Sequence, residues 1–149
     1  MKASKEHSMG IDSLLIIGVG LIGGSLARAL KKADFVREVI GFGRSEANLR
    51  RALDLGVIDR WTLDLNDAVA GVDVIMLATP VAATNQLLPR VAANLGDNTI
   101  VTDAGSVKGS VARAADGALG ERASHFVPGH PIAGAENSSV EASRVDLFQ

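Results

Sequence analysis

The chain has 149 residues, of which 47% are hydrophobic, so it can bury the core of one domain of ordinary size. Its formal net charge of −2 includes no basic block and aromatic residues make up only 3%, which argues against nucleic acid as a partner. The absence of cysteine excludes disulfides and thiolate metal sites, and we predict no metal site.

The first residues of the chain differ in character from the rest. Residues 1–11 are polar and of mixed charge, and we expect them to form a flexible arm before a single folded domain over 12–149. No segment of the chain has an apolar run of signal-peptide or membrane-spanning length. We therefore expect a cytoplasmic protein without a membrane partner.

The first predicted strand, residues 13–18, leads directly into a glycine-rich turn. Four apolar residues are followed by three glycines spaced G-x-G-x-x-G, and a helical pattern then extends to about Lys32. Between a strand and a helix, this spacing is typical of a turn that binds the pyrophosphate of a dinucleotide, whereas a structural turn without ligand is the alternative. The first glycine permits the tight turn, the second lets phosphates approach the main chain, and the third allows close packing of the helix. The predicted cofactor-binding residues here are Gly18, Gly20, Leu21, Ile22 and Gly23.

The second predicted strand, residues 37–42, ends at the position that selects between NAD and NADP. In NAD-binding folds, an acidic residue about 20 positions after the last glycine binds the ribose hydroxyls. Here Gly43, Arg44 and Ser45 occupy this place, so the carboxylate is missing. An arginine and a serine can hold a 2′-phosphate, which favours NADP over NAD. Alternatively, Arg44 is a solvated surface residue and Ser45 only caps the next helix.

The following segments continue to alternate between strand and helix. A short strand near 61–63 and a short helix over 66–70 precede the nearly continuous apolar segment 72–78, which is typical of a strand buried on both faces of a parallel sheet. The strand ends in Thr79-Pro80-Val81. We expect these three residues either to line the cofactor near its nicotinamide or only to begin the next helix.

The remaining elements complete the same pattern. The helix after the 72–78 strand contains Pro89, which should kink or interrupt it. A strand over 99–103, a helix from about 107 to 119 and a short strand over 125–127 follow. The alternation predicts an α/β domain with a doubly wound, mostly parallel sheet, the Rossmann fold.

Two loops at the expected carboxyl edge of this sheet carry residues that could act chemically. The loop after the fifth strand contains Ser106, and the loop after the sixth contains His130 and Glu136. A neutral imidazole beside a hydroxyl can act as a general base, and next to a nicotinamide it indicates oxidation of an alcohol. The residues alone leave other roles open, because His130 could be a hydrogen-bonded turn residue and Ser106 a helix cap. The G-x-S-x-G elbow of a serine hydrolase is absent.

Three segments together resemble the prephenate/arogenate dehydrogenase family of tyrosine biosynthesis. They are residues 17–25 (IGVGLIGGS), 103–108 (DAGSVK) and 129–136 (GHPIAGAE), and the resemblance covers nearly the whole chain from residue 12. It implies that residues 12–149 form the N-terminal dinucleotide-binding domain of such an enzyme. The implied reaction is the oxidative decarboxylation of a cyclohexadienol, with hydride transfer to NAD(P)⁺ and formation of an aromatic ring.

The resemblance also implies roles for individual residues. His130 contacts the ring hydroxyl of the substrate and acts as the base, Ser106 orients both, and Glu136 lies near the site entrance. Gly134 belongs to the same substrate site, and Gly105 belongs to the cofactor site. The family's second, all-helical domain builds a homodimer and supplies an arginine for the substrate carboxylate, and we expect it to lie outside these 149 residues. We therefore expect this chain to bind NADP but to turn over poorly or not at all alone.

Two other functions are compatible with these residues. Another NAD(P)-dependent dehydrogenase, acting on a hydroxy acid or an imine, would share the glycine turn and Thr79-Pro80 but would not require His130. A non-catalytic module that senses a dinucleotide would bind cofactor without turnover. The sequence leaves open whether the substrate is prephenate or arogenate.

Overall fold

The computed structural model describes residues 10–104, 108–129 and 139–147, in which strands and helices alternate in the predicted order. The short strand near 61–63 and the short helix over 66–70 are present within two residues of their predicted bounds. The strands are Ile11–Ile17 (β1), Val36–Phe42 (β2), Arg60–Thr62 (β3), Val74–Leu77 (β4), Ile100–Asp103 (β5) and Phe126–Val127 (β6), and the α-helices are Leu21–Lys32 (α1), Glu46–Asp54 (α2), Leu65–Val69 (α3), Val81–Ala93 (α4) and Lys108–Leu119 (α5).

These strands form one sheet whose order confirms the predicted Rossmann fold. The order is β3-β2-β1-β4-β5-β6, and every neighbouring pair is parallel. The sequence runs outward from β1 in one direction and then from β4 in the other, so the chain reverses its winding between these two strands. Ligands of doubly wound sheets bind at this reversal, outside the carboxyl ends of the strands.

Helices cover both faces of the sheet and create two separate cores. In β1, Leu15 and Ile17 face the core that includes α3, α4 and α5, whereas Leu14 and Ile16 face the core that includes α1 and α2. All four side chains are at most 1% exposed. A strand buried on both faces needs apolar residues at every position, which explains why β1 appears in the sequence as a continuous apolar run.

Two predicted features differ from the structure. Strand β1 begins at Ile11, inside the range predicted for the N-terminal arm, and Ile11 pairs with Val36. Residues 1–9 of that arm lie outside the described residues. The prediction that Pro89 interrupts its helix is wrong, because α4 continues to Ala93. Pro89 lies on the exposed side of α4, so water can replace the one backbone hydrogen bond that its missing N–H removes.

The described segment after the sixth strand, residues 139–147, packs on α1 and α2. A short 3-10 helix, Val140–Ala142, places Val140 fully buried in the core with α1 and α2. Arg28 Nε donates a hydrogen bond to Ser143 Oγ at 2.7 Å, and the Arg144 N–H donates to Ser25 Oγ at 2.8 Å. These contacts fix the segment beside the helix that follows the glycine turn.

Among the described residues, no helix has both the length and the apolar character needed to cross a bilayer.

Candidate functional site

A cleft of about 640 Å³ opens at the carboxyl edge of the sheet, where β1 and β4 lie side by side. Its walls are formed by the ends of β1, β2 and β4, the first residues of α2, one side of α4, and Ser139. Its volume falls within the range of roughly 300–1,000 Å³ that is usual for small-molecule sites. The cleft thus lies where the topology alone predicts a ligand.

The turn after β1 forms the first wall from main chain. Gly18 has φ +92°, a backbone conformation that favours glycine, and its N–H donates to the Phe42 carbonyl at 3.0 Å. A Cβ at Gly18 would lie 2.8 Å from the Ala78 carbonyl oxygen, so a side chain there would also collide with the end of β4. Gly20 follows as the N-cap of α1 and lines the cleft with Gly18. This wall therefore offers backbone rather than side chains to a ligand.

The third glycine of the turn serves the packing of α1 rather than the cleft surface. A Cβ at Gly23 would lie 2.6 Å from Ile16 Cγ2 and 2.7 Å from the Gly18 carbonyl oxygen. Neither Gly23 nor the side chains of Leu21 and Ile22 line the cleft, although all three belong to the first turn of α1. Among the described residues, no side chain caps α1 and its first turn contains no acidic residue. Its N-terminal N–H groups and positive dipole end therefore suit an anion.

The loop after β2 forms the second wall from side chains. Gly43, Arg44 and Ser45 all line the cleft, as predicted for a loop that contacts the ribose. Ser45 also caps α2, because its Oγ accepts a hydrogen bond from the Asn48 N–H at 3.2 Å. Asn48 in turn donates from Nδ2 to the Val19 carbonyl at 2.9 Å, which ties α2 to the glycine turn. The two walls are thereby held in a fixed relation.

The end of β4 forms the floor between these walls. Thr79 and Pro80 line the cleft, whereas Val81, the first residue of α4, does not. Thr79 Oγ1 lies 2.7 Å from Thr84 Oγ1, and the Thr84 hydroxyl is within 3.1 Å of the Thr79 carbonyl. These contacts couple the turn to the first turn of α4 and fix where that helix starts.

One side of α4 lines the cleft and was not predicted from the sequence. Its lining residues are Ala83, Gln86, Leu87 and Arg90, which are separated by three, one and three positions and therefore share one helix face. Asn48 and Ser139 were missed as well. The helical spacing on α4 was visible in the sequence, but apolar periodicity identifies only the buried face of a helix.

The loops expected to carry the chemistry are only partly described. His130, Ser106, Glu136, Gly134 and Gly105 lie outside the described residues. Their predicted roles therefore stay predictions.

The residues that flank these two loops are held together at the end of β5. The Asp103 side chain is 1% exposed, and its Oδ1 accepts a hydrogen bond from the Gly129 N–H at 3.1 Å. A Cβ at Gly129 would lie 2.7 Å from the Asp103 carbonyl oxygen, so the two strands approach closely there. In sequence, Ser106 follows Asp103 by three positions and His130 follows Gly129 directly. The two predicted chemical loops thus start from one hydrogen-bonded point.

Comparison with known proteins gives an independent view of the site. Residues 26–149 match the model of the prephenate dehydrogenase nucleotide-binding domain. This match begins after the glycine turn and therefore does not depend on the fingerprint within it. A prephenate dehydrogenase of Lactococcus lactis subsp. cremoris is 37% identical over 140 residues, which are 93% of this chain and 39% of that protein.

Solved structures agree with this match. The crystal structure of Aquifex aeolicus prephenate dehydrogenase in complex with hydroxyphenyl propionate and NAD⁺ has a TM-score of 0.86 and 36% identity, covering 95% of this chain and 49% of that one. Synechocystis arogenate dehydrogenase gives a TM-score of 0.81 at 28% identity, covering 91% of this chain and 46% of that one. The chain therefore spans less than half the length of these relatives. Oxidoreductases of other kinds are only 16–19% identical, which shows the fold alone.

Proposed function

This chain belongs to the prephenate dehydrogenase family as its nucleotide-binding domain, and we propose that it forms the cofactor-binding half of an enzyme that oxidatively decarboxylates a cyclohexadienol. The observation that carries the proposal is the cleft between β1 and β4, where a wall of bare main chain meets Arg44 and Ser45. A dinucleotide has the matching parts, because its pyrophosphate requires N–H groups and its ribose requires polar side chains.

The proposed chemistry assigns few tasks to the protein. A bound nicotinamide dinucleotide would supply the hydride acceptor for the carbinol carbon of the substrate. His130 accepts the proton of the ring hydroxyl, and Ser106 holds the imidazole and the hydroxyl in line. The substrate carboxylate leaves as carbon dioxide, and the ring becomes aromatic. Glu136 and Gly134 belong to the entrance and wall of the substrate site.

The location of the base is supported by its neighbours in the chain. Asp103 and Gly129, which flank the loops of Ser106 and His130, meet at the end of β5, and Ser139 lines the cofactor cleft after the second loop. The loop of His130 therefore begins and ends at the edge of the sheet where the cofactor would lie. This arrangement favours a dehydrogenase that uses His130 over one that does not.

A complete enzyme needs more than these 149 residues. The chain covers 39% of the L. lactis protein, and we propose that the rest of such an enzyme binds the substrate carboxylate and joins two subunits into a homodimer. Either prephenate or arogenate would fit this proposal. The 149 residues alone should reduce cofactor slowly or not at all when either substrate is added, and rapid turnover by the chain alone would contradict this.

We propose further that the cofactor is NADP rather than NAD. Arg44 and Ser45 line the cleft where the ribose would lie, and Gly43 offers no carboxylate to repel a 2′-phosphate. A Cβ at Gly43 would meet nothing closer than Leu49 Cδ2 at 3.8 Å. Packing therefore does not require glycine at this position, and an acidic side chain could be accommodated. The NAD⁺ in the A. aeolicus structure belongs to a protein that is 36% identical to this one.

Calorimetric titration of the chain with NADP⁺ and NAD⁺ tests this preference. The unmodified chain should bind NADP⁺ more tightly, and Arg44→Ala should weaken NADP⁺ about 10- to 100-fold because a charge-assisted hydrogen bond is lost. Gly43→Asp should also weaken NADP⁺ and should improve binding of NAD⁺, because a carboxylate can accept hydrogen bonds from the ribose hydroxyls. Equal affinity of the unmodified chain for both cofactors would refute the preference and leave dinucleotide binding intact.

A further inference from the structure

Two arginines enter the cleft from elements that pack on opposite faces of the sheet. Arg44 precedes α2, which packs with α1 in one core, and Arg90 belongs to α4, which packs in the other. Both arginines are exposed, and both line the same cleft. The sheet edge, with Ile17 and Phe42, lies between them as part of the lining.

The position of Arg90 on α4 follows from the helix geometry. Leu88 and Val91 are fully buried against the sheet, whereas Gln86, Leu87 and Arg90 turn to the cleft. Arg90 is nine residues after the start of α4, a rise of about 13 Å along the helix axis. It therefore lies well away from the helix start at Pro80, in another part of the cleft lining.

The described residues that line the cleft carry only positive charge. Among its described lining residues, Arg44 and Arg90 are the charged ones, and none is acidic, although the whole chain has a net charge of −2. Six other arginines of the described ranges form ion pairs with carboxylates, whereas neither Arg44 nor Arg90 does so there. Two guanidinium groups that line one cleft without acidic partners favour an anion as its ligand.

We propose that Arg90 is a second specificity-determining residue, which together with Arg44 clamps the 2′-phosphate of NADP⁺ from both sides of the cleft. This inference rests on the proposed preference for NADP and deepens it. The glycine turn already offers its N–H groups to the pyrophosphate, which NAD⁺ and NADP⁺ share. The additional charge of NADP⁺ lies on its 2′-phosphate, and guanidinium groups match the geometry of phosphate oxygens.

Calorimetric titrations with four ligands test the clamp. NADP⁺ and 2′,5′-ADP carry the 2′-phosphate, whereas NAD⁺ and 5′-AMP lack it. Arg90→Ala should weaken the first two about 10-fold, as expected for one charge-assisted contact, and should leave the second two within about twofold. Arg90→Lys should recover part of the affinity, because it keeps the charge without the planar geometry.

Arg113→Ala is the matched control, because Arg113 is an exposed arginine on α5 that does not line the cleft and has no ion pair among the described residues. It should leave all four affinities unchanged. The double variant with Arg44→Ala and Arg90→Ala should bind NADP⁺ and NAD⁺ about equally. Circular dichroism should show all of these variants folded, since each removes only an exposed side chain.

The outcomes of these titrations distinguish the clamp by Arg90 from the proposed preference for NADP on which it rests. If the unmodified chain does not prefer NADP⁺, the proposed cofactor preference fails and the clamp fails with it. If the unmodified chain prefers NADP⁺ but Arg90→Ala weakens all four ligands equally, Arg90 contacts the shared adenosine and the clamp alone is overturned. The clamp is also overturned if Arg90→Ala changes none of the affinities while Arg44→Ala weakens NADP⁺.

Discussion

The two walls of the cleft differ in the groups that they present. The first wall, after β1, presents main chain, whereas the second wall, after β2, presents side chains. Gly18 and Gly20 present main chain; Gly18 has a positive φ, and a side chain there would collide with Ala78 at the end of β4. Arg44 and Ser45 present side chains, and a Cβ at the nearby Gly43 would make only an ordinary contact with Leu49. The first wall tolerates almost no change, whereas the second could accept other residues without disturbing the fold.

This difference separates two functions of the cleft. Main chain can recognise the pyrophosphate, which every nicotinamide dinucleotide contains, so we propose that the first wall determines whether such a cofactor binds. We propose that the side chains of the second wall meet the ribose, where NAD and NADP differ, and Arg90 lines another side of the same cleft. Changes to the first wall should therefore affect both cofactors equally, and changes to the second should affect mainly one.

The largest effect is expected from Gly23→Ala, which disrupts the first wall. The new Cβ would lie 2.6 Å from Ile16 Cγ2 and 2.7 Å from the Gly18 carbonyl oxygen. Because the Gly18 oxygen is a backbone atom, this close contact can be relieved only if α1 shifts away from the turn. Overpacking of this kind costs about 1–3 kcal/mol of unfolding free energy. Binding of NAD⁺ and NADP⁺ should fall together, because the start of α1 moves away from the pyrophosphate.

Gly117→Ala provides the control for this substitution. Gly117 lies in α5, where an added Cβ would meet nothing within 4 Å. Alanine is the better helix former, so this change should stabilise the chain by about 0.5–1 kcal/mol and leave binding unchanged. Urea unfolding and calorimetric titration measure both quantities. A stable Gly23→Ala variant with normal affinity would show that the first wall is not rigid.

The sequence predicted residues of both walls but missed the side of α4 that lines the cleft. A buried strand, three spaced glycines and a helix are local features, and together they determine where the turn lies and what it can bind. Arg90 was missed because its place in the cleft depends on how α4 packs across the sheet, which its own sequence does not contain. The sequence also did not predict that Val140 and Ser143 pack against α1. The reason is the same, because these contacts join residues more than 100 positions apart. The prediction that Pro89 interrupts α4 was wrong because the proline is on the exposed side of the helix, where water can replace the lost hydrogen bond.

A smaller effect is expected at Ser45, where one side chain has two tasks. Its Oγ caps α2, and we propose that the same hydroxyl contacts the 2′-phosphate. Ser45→Ala should lower the unfolding free energy by about 1 kcal/mol and weaken NADP⁺ as well. Ser45→Asp keeps a good cap, so stability should be retained while its carboxylate repels the phosphate.

Comparison of these two variants separates the tasks of Ser45. Thermal unfolding should distinguish Ser45→Ala from the unmodified chain, and titration with NADP⁺ should distinguish both variants from it. NAD⁺ affinity should change little in either variant. If Ser45→Asp binds NADP⁺ normally, the hydroxyl is only a helix cap, and Arg44 is the side chain on which the second wall relies.

The smallest effect is expected at Glu141. This residue follows Ser139, which lines the cleft, by two positions. A backbone hydrogen bond to the Glu141 carboxylate and one from the Ser139 hydroxyl lower its pKa below the ordinary 4.5, and Arg51 Nε, 3.5 Å away, acts in the same direction. A carboxyl whose pKa is lower in the folded chain than in the unfolded chain stabilises the fold above the unfolded pKa, and this contribution is lost as the pH falls through the folded pKa. Urea unfolding of Glu141→Gln should therefore show a slightly weaker loss of stability on acidification than the unmodified chain, with equal affinity for both cofactors at neutral pH. A change in the ratio of NADP⁺ affinity to NAD⁺ affinity in this variant would mean that the segment after the His130 loop also contributes to cofactor selectivity. Selectivity would then not depend on the second wall and Arg90 alone.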